Sequence, residues 1–177
     1  LPHFNRITRS GQVLYLAGEI GLLAQSNDFG LTWQKLDEIY TGSFFDVART
    51  QQGSLLVVGL RGNVFHRSAN DTQWQASKTH TTALLSAIVK GNDERLFVLG
   101  NNGALLESKD DGHSFILHTQ DDGKALISGV WFNNKLIATS EIGIKTLTFT
   151  QTDKVQIGQQ SPEQTNSDQT NPAGTTK

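Results

Sequence analysis

The sequence lacks cysteine and methionine, has only three prolines and two tyrosines, and carries a formal net charge of −2 over 177 residues. Without cysteine it has no disulfide framework, no thiolate nucleophile and no thiolate metal site. That leaves the redox compartment open. The small negative charge provides no global positive field to gather nucleic acid or an acidic membrane surface, so no nucleic-acid partner is expected. No apolar run reaches the roughly 20 residues that a membrane-spanning helix needs. Methionine is missing even at position 1, so Leu1 is expected to follow processing or to lie within a longer chain, and no signal peptide can be read here.

Glycine, by contrast, is plentiful at 17 residues, set among short apolar runs in a chain that is 36% hydrophobic. Many tight turns between short apolar segments point to β structure. The glycines also keep register. Gly18, Gly59 and Gly100 recur every 41 residues, as do Gly21, Gly62 and Gly103, and Trp33, Trp74 and Phe115 share a third column. A weaker fourth copy is present at Ser140-Glu141-Ile142-Gly143. Within the third copy, residues 84–89, 95–99, 104–108 and 114–119 read as four strands, and the other copies follow the same plan. Four short antiparallel strands at this period are the signature of β-propeller blades. A helical solenoid is disfavoured because no stretch shows apolar spacing of three and four. The blades are expected at 1–40, 41–80, 81–122 and 123–158. Residues 159–177 have almost no apolar side chain and are expected to be a disordered polar tail.

Between third and fourth strands, the first copy reads Ser26-Asn27-Asp28-Phe29-Gly30-Leu31-Thr32-Trp33. The third has Ser108, Asp110, Gly112, Ser114 and Phe115 at the matching positions. The second is one residue shorter, keeping Asp71 and Trp74 but losing the glycine, and the fourth has no such segment. The pattern resembles the Asp box of the bacterial neuraminidase repeat. Its chemistry is local: Asp accepts hydrogen bonds from the turn's own N–H groups, Gly takes the left-handed position, and the aromatic residue covers the hairpin. Trp33 and Trp74 are therefore expected to be largely buried. The segment reports fold rather than reaction. Calcium loops alternate their acidic ligands, whereas Asp110-Asp111 and Asp121-Asp122 are adjacent pairs.

The combination of G-x-x-G with S-x-D-x-G-x-T-W at this period looks most similar to the photosystem II stability/assembly-factor family. The likeness runs from about Gln12 to Phe149. It implies a seven-bladed propeller that acts as a non-enzymatic assembly or interaction factor, usually exported. This chain departs from that pattern in having only four periods. An open arc of four blades leaves two apolar faces uncovered, so these residues are expected to be the C-terminal part of a longer ring; closure alone or with a second copy are the alternatives.

No catalytic group, cofactor or metal is expected. The histidines His3, His66, His80, His113 and His118 show no metal spacing. A sialidase-type glycosidase, the rival reading, would need converging arginines beside Tyr15 or Tyr40, or paired carboxylates such as Glu19 and Glu141. A carbohydrate-binding propeller would need exposed aromatic platforms, for which Phe29 and Trp131 are the candidates. The G-x-x-G turns share one face with the inter-blade connections. Their residues Glu19, Arg61, Asn101, Asn102 and Glu141 form the candidate partner-binding face, with a protein as the expected partner. Arg61 resembles the arginine that assembly factors often carry in this turn. Periplasmic or secreted location is the matching expectation.

Overall fold

The computed structural model describes residues 1–149 and 155–159, with side chains as far as 149. It holds four separate antiparallel sheets of four strands, each meandering in chain order. The first is β1 (Phe4–Ser10), β2 (Val13–Gly18), β3 (Leu23–Ser26) and β4 (Gln34–Lys35). The second is β5 (Phe44–Arg49), β6 (Leu55–Gly59), β7 (Val64–Arg67) and β8 (Gln75–Ala76). The third is β9 (Leu85–Lys90), β10 (Leu96–Gly100), β11 (Ala104–Ser108) and β12 (Ile116–Thr119). The fourth is β13 (Leu126–Phe132), β14 (Lys135–Ser140), β15 (Gly143–Phe149) and β16 (Val155–Gln159). The chain is thus an all-β arc of four propeller blades. The last strand ends at Gln159, one residue past the expected blade boundary. The rest of the expected tail lies outside the described residues.

First strands of successive sheets lie side by side, β1 on β5, β5 on β9 and β9 on β13, which makes them the innermost strands of the arc. All four carry a register shift near their start, before Arg6, Asp46, Ala87 and Ser128 respectively. The bulged residues reach sideways. Asn5 Nδ2 donates to the Phe44 carbonyl at 2.8 Å, and Ser86 Oγ donates to the Leu126 carbonyl at 2.9 Å. A bulge bends and twists a strand, and here it lets a side chain tie one blade to the next.

The core is three interfaces rather than one centre. Tyr15, Ala17 and Leu23 of the first blade meet Phe44, Val47, Leu55 and Val57 of the second. Leu56, Val58 and Val64 of the second meet Leu96, Val98, Leu106 and Phe115 of the third. Phe97, Leu99 and Leu105 of the third meet Leu126, Leu136, Ala138 and Leu147 of the fourth. The alternation of strand side chains lets each inner blade bury both faces.

Two expectations are corrected here. Trp33 is 39% exposed, whereas Phe115 in the same column is 4% exposed. Phe115 packs on the preceding blade, and no described residue stands in that place for Trp33. Trp74 lies between: half-buried, against the first interface. Trp131 is no exposed platform. It stacks on Phe97 with centroids 5.0 Å apart and rings 13° from parallel, while Phe29 is 78% exposed as expected.

Candidate partner-binding face

The G-x-x-G turns need glycine twice, for different reasons. In the first, Leu22 N donates to the Glu19 carbonyl at 3.1 Å, with Ile20 and Gly21 at φ +53° and +67°. Two positive φ values at the central positions make a type I′ hairpin turn. Arg61–Gly62 and Asn102–Gly103 repeat it, at +59° and +70° and at +56° and +68°. The earlier glycines do not sit at positive φ. A Cβ on Gly18, Gly59 or Gly100 would instead strike the carbonyl oxygen of His3, Ser43 or Leu84 in the inner strand's approach. That close approach makes a bond: Glu19 N to His3 O at 3.0 Å, Leu60 N to Ser43 O at 3.1 Å and Asn101 N to Leu84 O at 2.9 Å. In the fourth blade Ser140 replaces the glycine, and the matching bond, Glu141 N to Ala125 O, stretches to 3.3 Å.

These rigid turns hold their variable side chains out to solvent. Ile20 and Ile142 are 65% and 52% exposed. Arg61, Asn101, Asn102 and Glu141 are exposed as well. The carboxylates are not free. Glu19 Oε2 lies 2.9 Å from His3 Nδ1 and accepts the His3 N–H, and these bonds hold its pKa below the ordinary range. Glu141 sits 3.9 Å from Lys124. In β15, Lys145 is 1% exposed and is paired with Asp122 of the neighbouring connection at 2.7 Å. A lysine on a sheet position gave no sequence signal of burial; only its alternation with Leu147 hints at it. The face therefore offers apolar tips, one unpaired arginine and two paired carboxylates.

The opposite face holds the Asp turns. Asp28 accepts from Thr32 Oγ1 at 2.5 Å, Thr32 N at 2.9 Å and Ser26 Oγ at 2.8 Å, while Ser26 Oγ accepts from Gly30 N at 2.8 Å. Asp110 repeats the set with Ser114 Oγ, Ser114 N and Ser108 Oγ at 2.5, 2.9 and 2.7 Å, and Gly112 N bonds Ser108 Oγ at 2.9 Å. The Thr32 hydroxyl and N–H, then Ser26, lower the Asp28 pKa to about 2. For Asp110 burial pulls upward, but the Ser114 hydroxyl and N–H and the Ser108 hydroxyl outweigh it and the pKa is lowered. Each carboxylate is thus consumed by its own turn. Asp71 keeps a single bond of this kind, from Gln73 N at 3.0 Å.

Other chemistry-bearing side chains are dispersed. Arg49 donates to Tyr15 Oη at 3.0 Å, but Tyr15 is 2% exposed. Glu19 and Glu141 sit on the first and fourth blades. Tyr40 packs beside Phe44 and Phe65. Between the third and fourth blades, Glu107 pairs with His118 at 3.0 Å and lies 3.6 Å from Arg95. The Arg95 guanidinium sits over Trp131 at 4.8 Å, which staples the two blades by a cation–π contact. Among the described residues no group of three or more His, Asp or Glu could hold a metal ion, and no helix is long and apolar enough to cross a membrane.

No family model matches the chain. A curated protein of Pseudomonas aeruginosa, immune protein Tsi7, is 27% identical over 109 residues, a match that takes in 62% of this chain and 35% of that protein. A solved YCF48 bound to a D1 peptide superposes with a TM-score of 0.60 at 14% identity, over 82% of this chain and 50% of that one. A streptogramin B lyase superposes at 0.74 with 12% identity, over 87% and 53%. The chain therefore spans about a third of the curated relative and about half of each solved structure. At these identities the superpositions carry the fold alone, and that fold is the β-propeller.

Proposed function

We propose that this chain is a protein-binding propeller module that acts without catalysis, taking its partner on the face formed by the G-x-x-G turns. The observation that carries the reading is the repetition of one turn across the first three blades. Its backbone is fixed by a hairpin bond and an inner-strand bond, and its tips, Ile20, Arg61 and Asn102, are left to solvent, as is Ile142 in the different turn of the fourth blade. Rigid presentation of exposed, variable side chains lowers the ordering cost of association. The names of similar proteins fit: one is an immune protein, and another was solved with a peptide. The enzymes among the similar structures share only the fold, which does not carry chemistry with it.

The test is site-specific photocrosslinking in the source cell. A photoreactive residue at position 20, 61, 102 or 142 should give a discrete protein adduct, and one at position 29 or 113 on the other face should give none. Adducts confined to positions 29 and 113, or turnover of an aryl glycoside that is lost in Arg49→Ala, would overturn the reading.

A further inference from the structure

The tips of the repeated turn are not equally suited to it. Ile20, Arg61 and Asn102 hold one column on successive blades, at φ +53°, +59° and +56°. Asn102-Gly103 is the pair that a type I′ turn takes most readily. Isoleucine is poorly suited, because its branched Cβ crowds the backbone at positive φ. The turn holds it there nonetheless: Gly21 N donates to the Gly42 carbonyl at 2.8 Å, and Leu22 N to the Glu19 carbonyl at 3.1 Å. A strained residue persists only where its surroundings fix it, and such residues gather at functional sites.

Nothing in the described fold offsets that strain. Ile20 is 65% exposed and belongs to none of the three blade interfaces. Its exposure is a property of the column, not of the end of the arc. Arg61 and Asn102 stand on blades flanked on both sides, and both are exposed. Nor does an apolar tip require the strain: in the fourth turn Ile142 is 52% exposed, and only Gly143 has a positive φ, +117°.

The next tip carries charge. Arg61 has no carboxylate partner among the described residues, while Glu19 and Glu141 are held by His3 and Lys124. Its turn is pinned as firmly. Gly62 N donates to the Ala83 carbonyl at 2.8 Å, and Thr79 Oγ1 donates to the Gly62 carbonyl at 2.8 Å. The guanidinium is therefore presented from a fixed base.

We propose, resting on the partner-binding face described above, that Ile20 anchors the partner and that the partner is a protein segment with an aliphatic or aromatic side chain next to an aspartate or glutamate. The apolar side chain covers Ile20, and the carboxylate pairs with Arg61. A guanidinium suits a carboxylate because it offers two parallel N–H donors. A basic segment would set like charges against each other. The strain marks a residue kept for contact rather than for folding, the usual conflict between stability and function.

The experiment uses the full chain with a photoreactive residue at position 102, irradiated in extract of the source cell. Full-length chains without that residue then compete for the adduct. Ile20→Asn should raise the melting temperature, since it installs the tip of the third blade. It should nevertheless need at least about tenfold more protein than the unaltered chain to halve the adduct, the effect of losing a central contact. Ile142→Asn, the same change at an unstrained tip, should leave the melting temperature unchanged. Arg61→Glu should also need at least about tenfold more protein, because it turns a like charge toward the partner's carboxylate. No adduct at any of the tips would sink the partner-binding face itself, and this inference with it. An adduct that Ile20→Asn or Arg61→Glu displaces as well as the unaltered chain does would overturn this inference and leave the face standing. So would a melting temperature that does not rise in Ile20→Asn, or that rises equally in Ile142→Asn.

Discussion

Arg6 and Asp46 hold the same place on adjacent blades, directly after the bulge of the inner strand, and the Arg6 Nε lies 3.1 Å from Asp46 Oδ1. Asp46 is 3% exposed and also accepts from Val47 N and Ile88 N, both at 2.8 Å. One carboxylate therefore joins three blades. Burial pushes its pKa above 3.8, against the Ile88 N–H, the Arg6 charge and the Val47 N–H. A raised value means that the folded state takes up a proton more readily than the unfolded chain. Ionised Asp46 consequently weighs against folding at neutral pH, and that penalty falls away as pH drops through the folded-state value.

Arg6→Met should thus cost about 1–2 kcal/mol at pH 7, below the usual loss for a broken buried pair because Arg6 is half in water. The deficit should shrink as pH falls through the raised folded-state value of Asp46, where the carboxylate takes up its proton. Urea denaturation at neutral pH and across the acid range measures it. A deficit that does not change with pH would mean that Arg6 acts through packing alone.

Gly59→Ala should destabilise by about 1–3 kcal/mol, the range for forcing extra volume into packed structure. The new methyl would meet the Ser43 carbonyl. Ser140→Gly, the reverse change at the equivalent site, should leave the melting temperature nearly unchanged, since the fourth blade already accommodates its Cβ with the longer 3.3 Å bond. Equal effects at the two sites would refute the steric account of these glycines.

The blades were legible in the sequence because turn glycines and strand alternation are local signals that recur at a fixed period. The role of the first glycine in each pair was not. Its constraint comes from a carbonyl 16 residues away across the hairpin, as Gly59 and Ser43 show. The inner-strand bulges were hidden for a similar reason, since Asn5 and Ser86 reveal their purpose only when the next blade is beside them. The turn face was read from topology, but the pairing of Glu19 with His3 and of Lys145 with Asp122 depends on how the connections fold back. Trp33 was misjudged because an Asp turn places its aromatic residue against the preceding blade, and the motif cannot say whether one is there.

Phe115→Ala should cost about 3–5 kcal/mol, as for other fully buried aromatic side chains. Trp33→Ala should cost well under half of that, since much of the ring faces water. Chemical denaturation of the two variants side by side gives the comparison. Equal losses would mean that the outer face of the first blade is covered.

His66 gives the chain an acid-sensitive joint between the second and third blades. It is 3% exposed, and its Nδ1 lies 3.0 Å from Ser77 Oγ. Ser77 spends its own proton on the Gly112 carbonyl at 2.5 Å. The serine oxygen must therefore accept from His66, which fixes the Nδ1–H tautomer and leaves Nε2 as a buried lone pair without a partner. The exposed His113 ring stands 4.1 Å away, centroid to centroid. Burial first, then the His113 charge, hold the His66 pKa below 6.5, with Asp110 and Asp111 pulling the other way. A lowered value means that the unfolded chain binds the proton first. The stability is complete above about pH 6.5 and is lost as pH falls toward the folded-state value, with a slope of at most about 1.4 kcal/mol per pH unit from this one group. Urea denaturation at pH 7.5 and 5.5 should show that loss. His113→Asn, which removes the neighbouring charge without touching the core, should make it smaller. A His66 imidazole that titrates above pH 6.5 by NMR, or an equal loss in His113→Asn, would remove this joint as the source of the acid sensitivity.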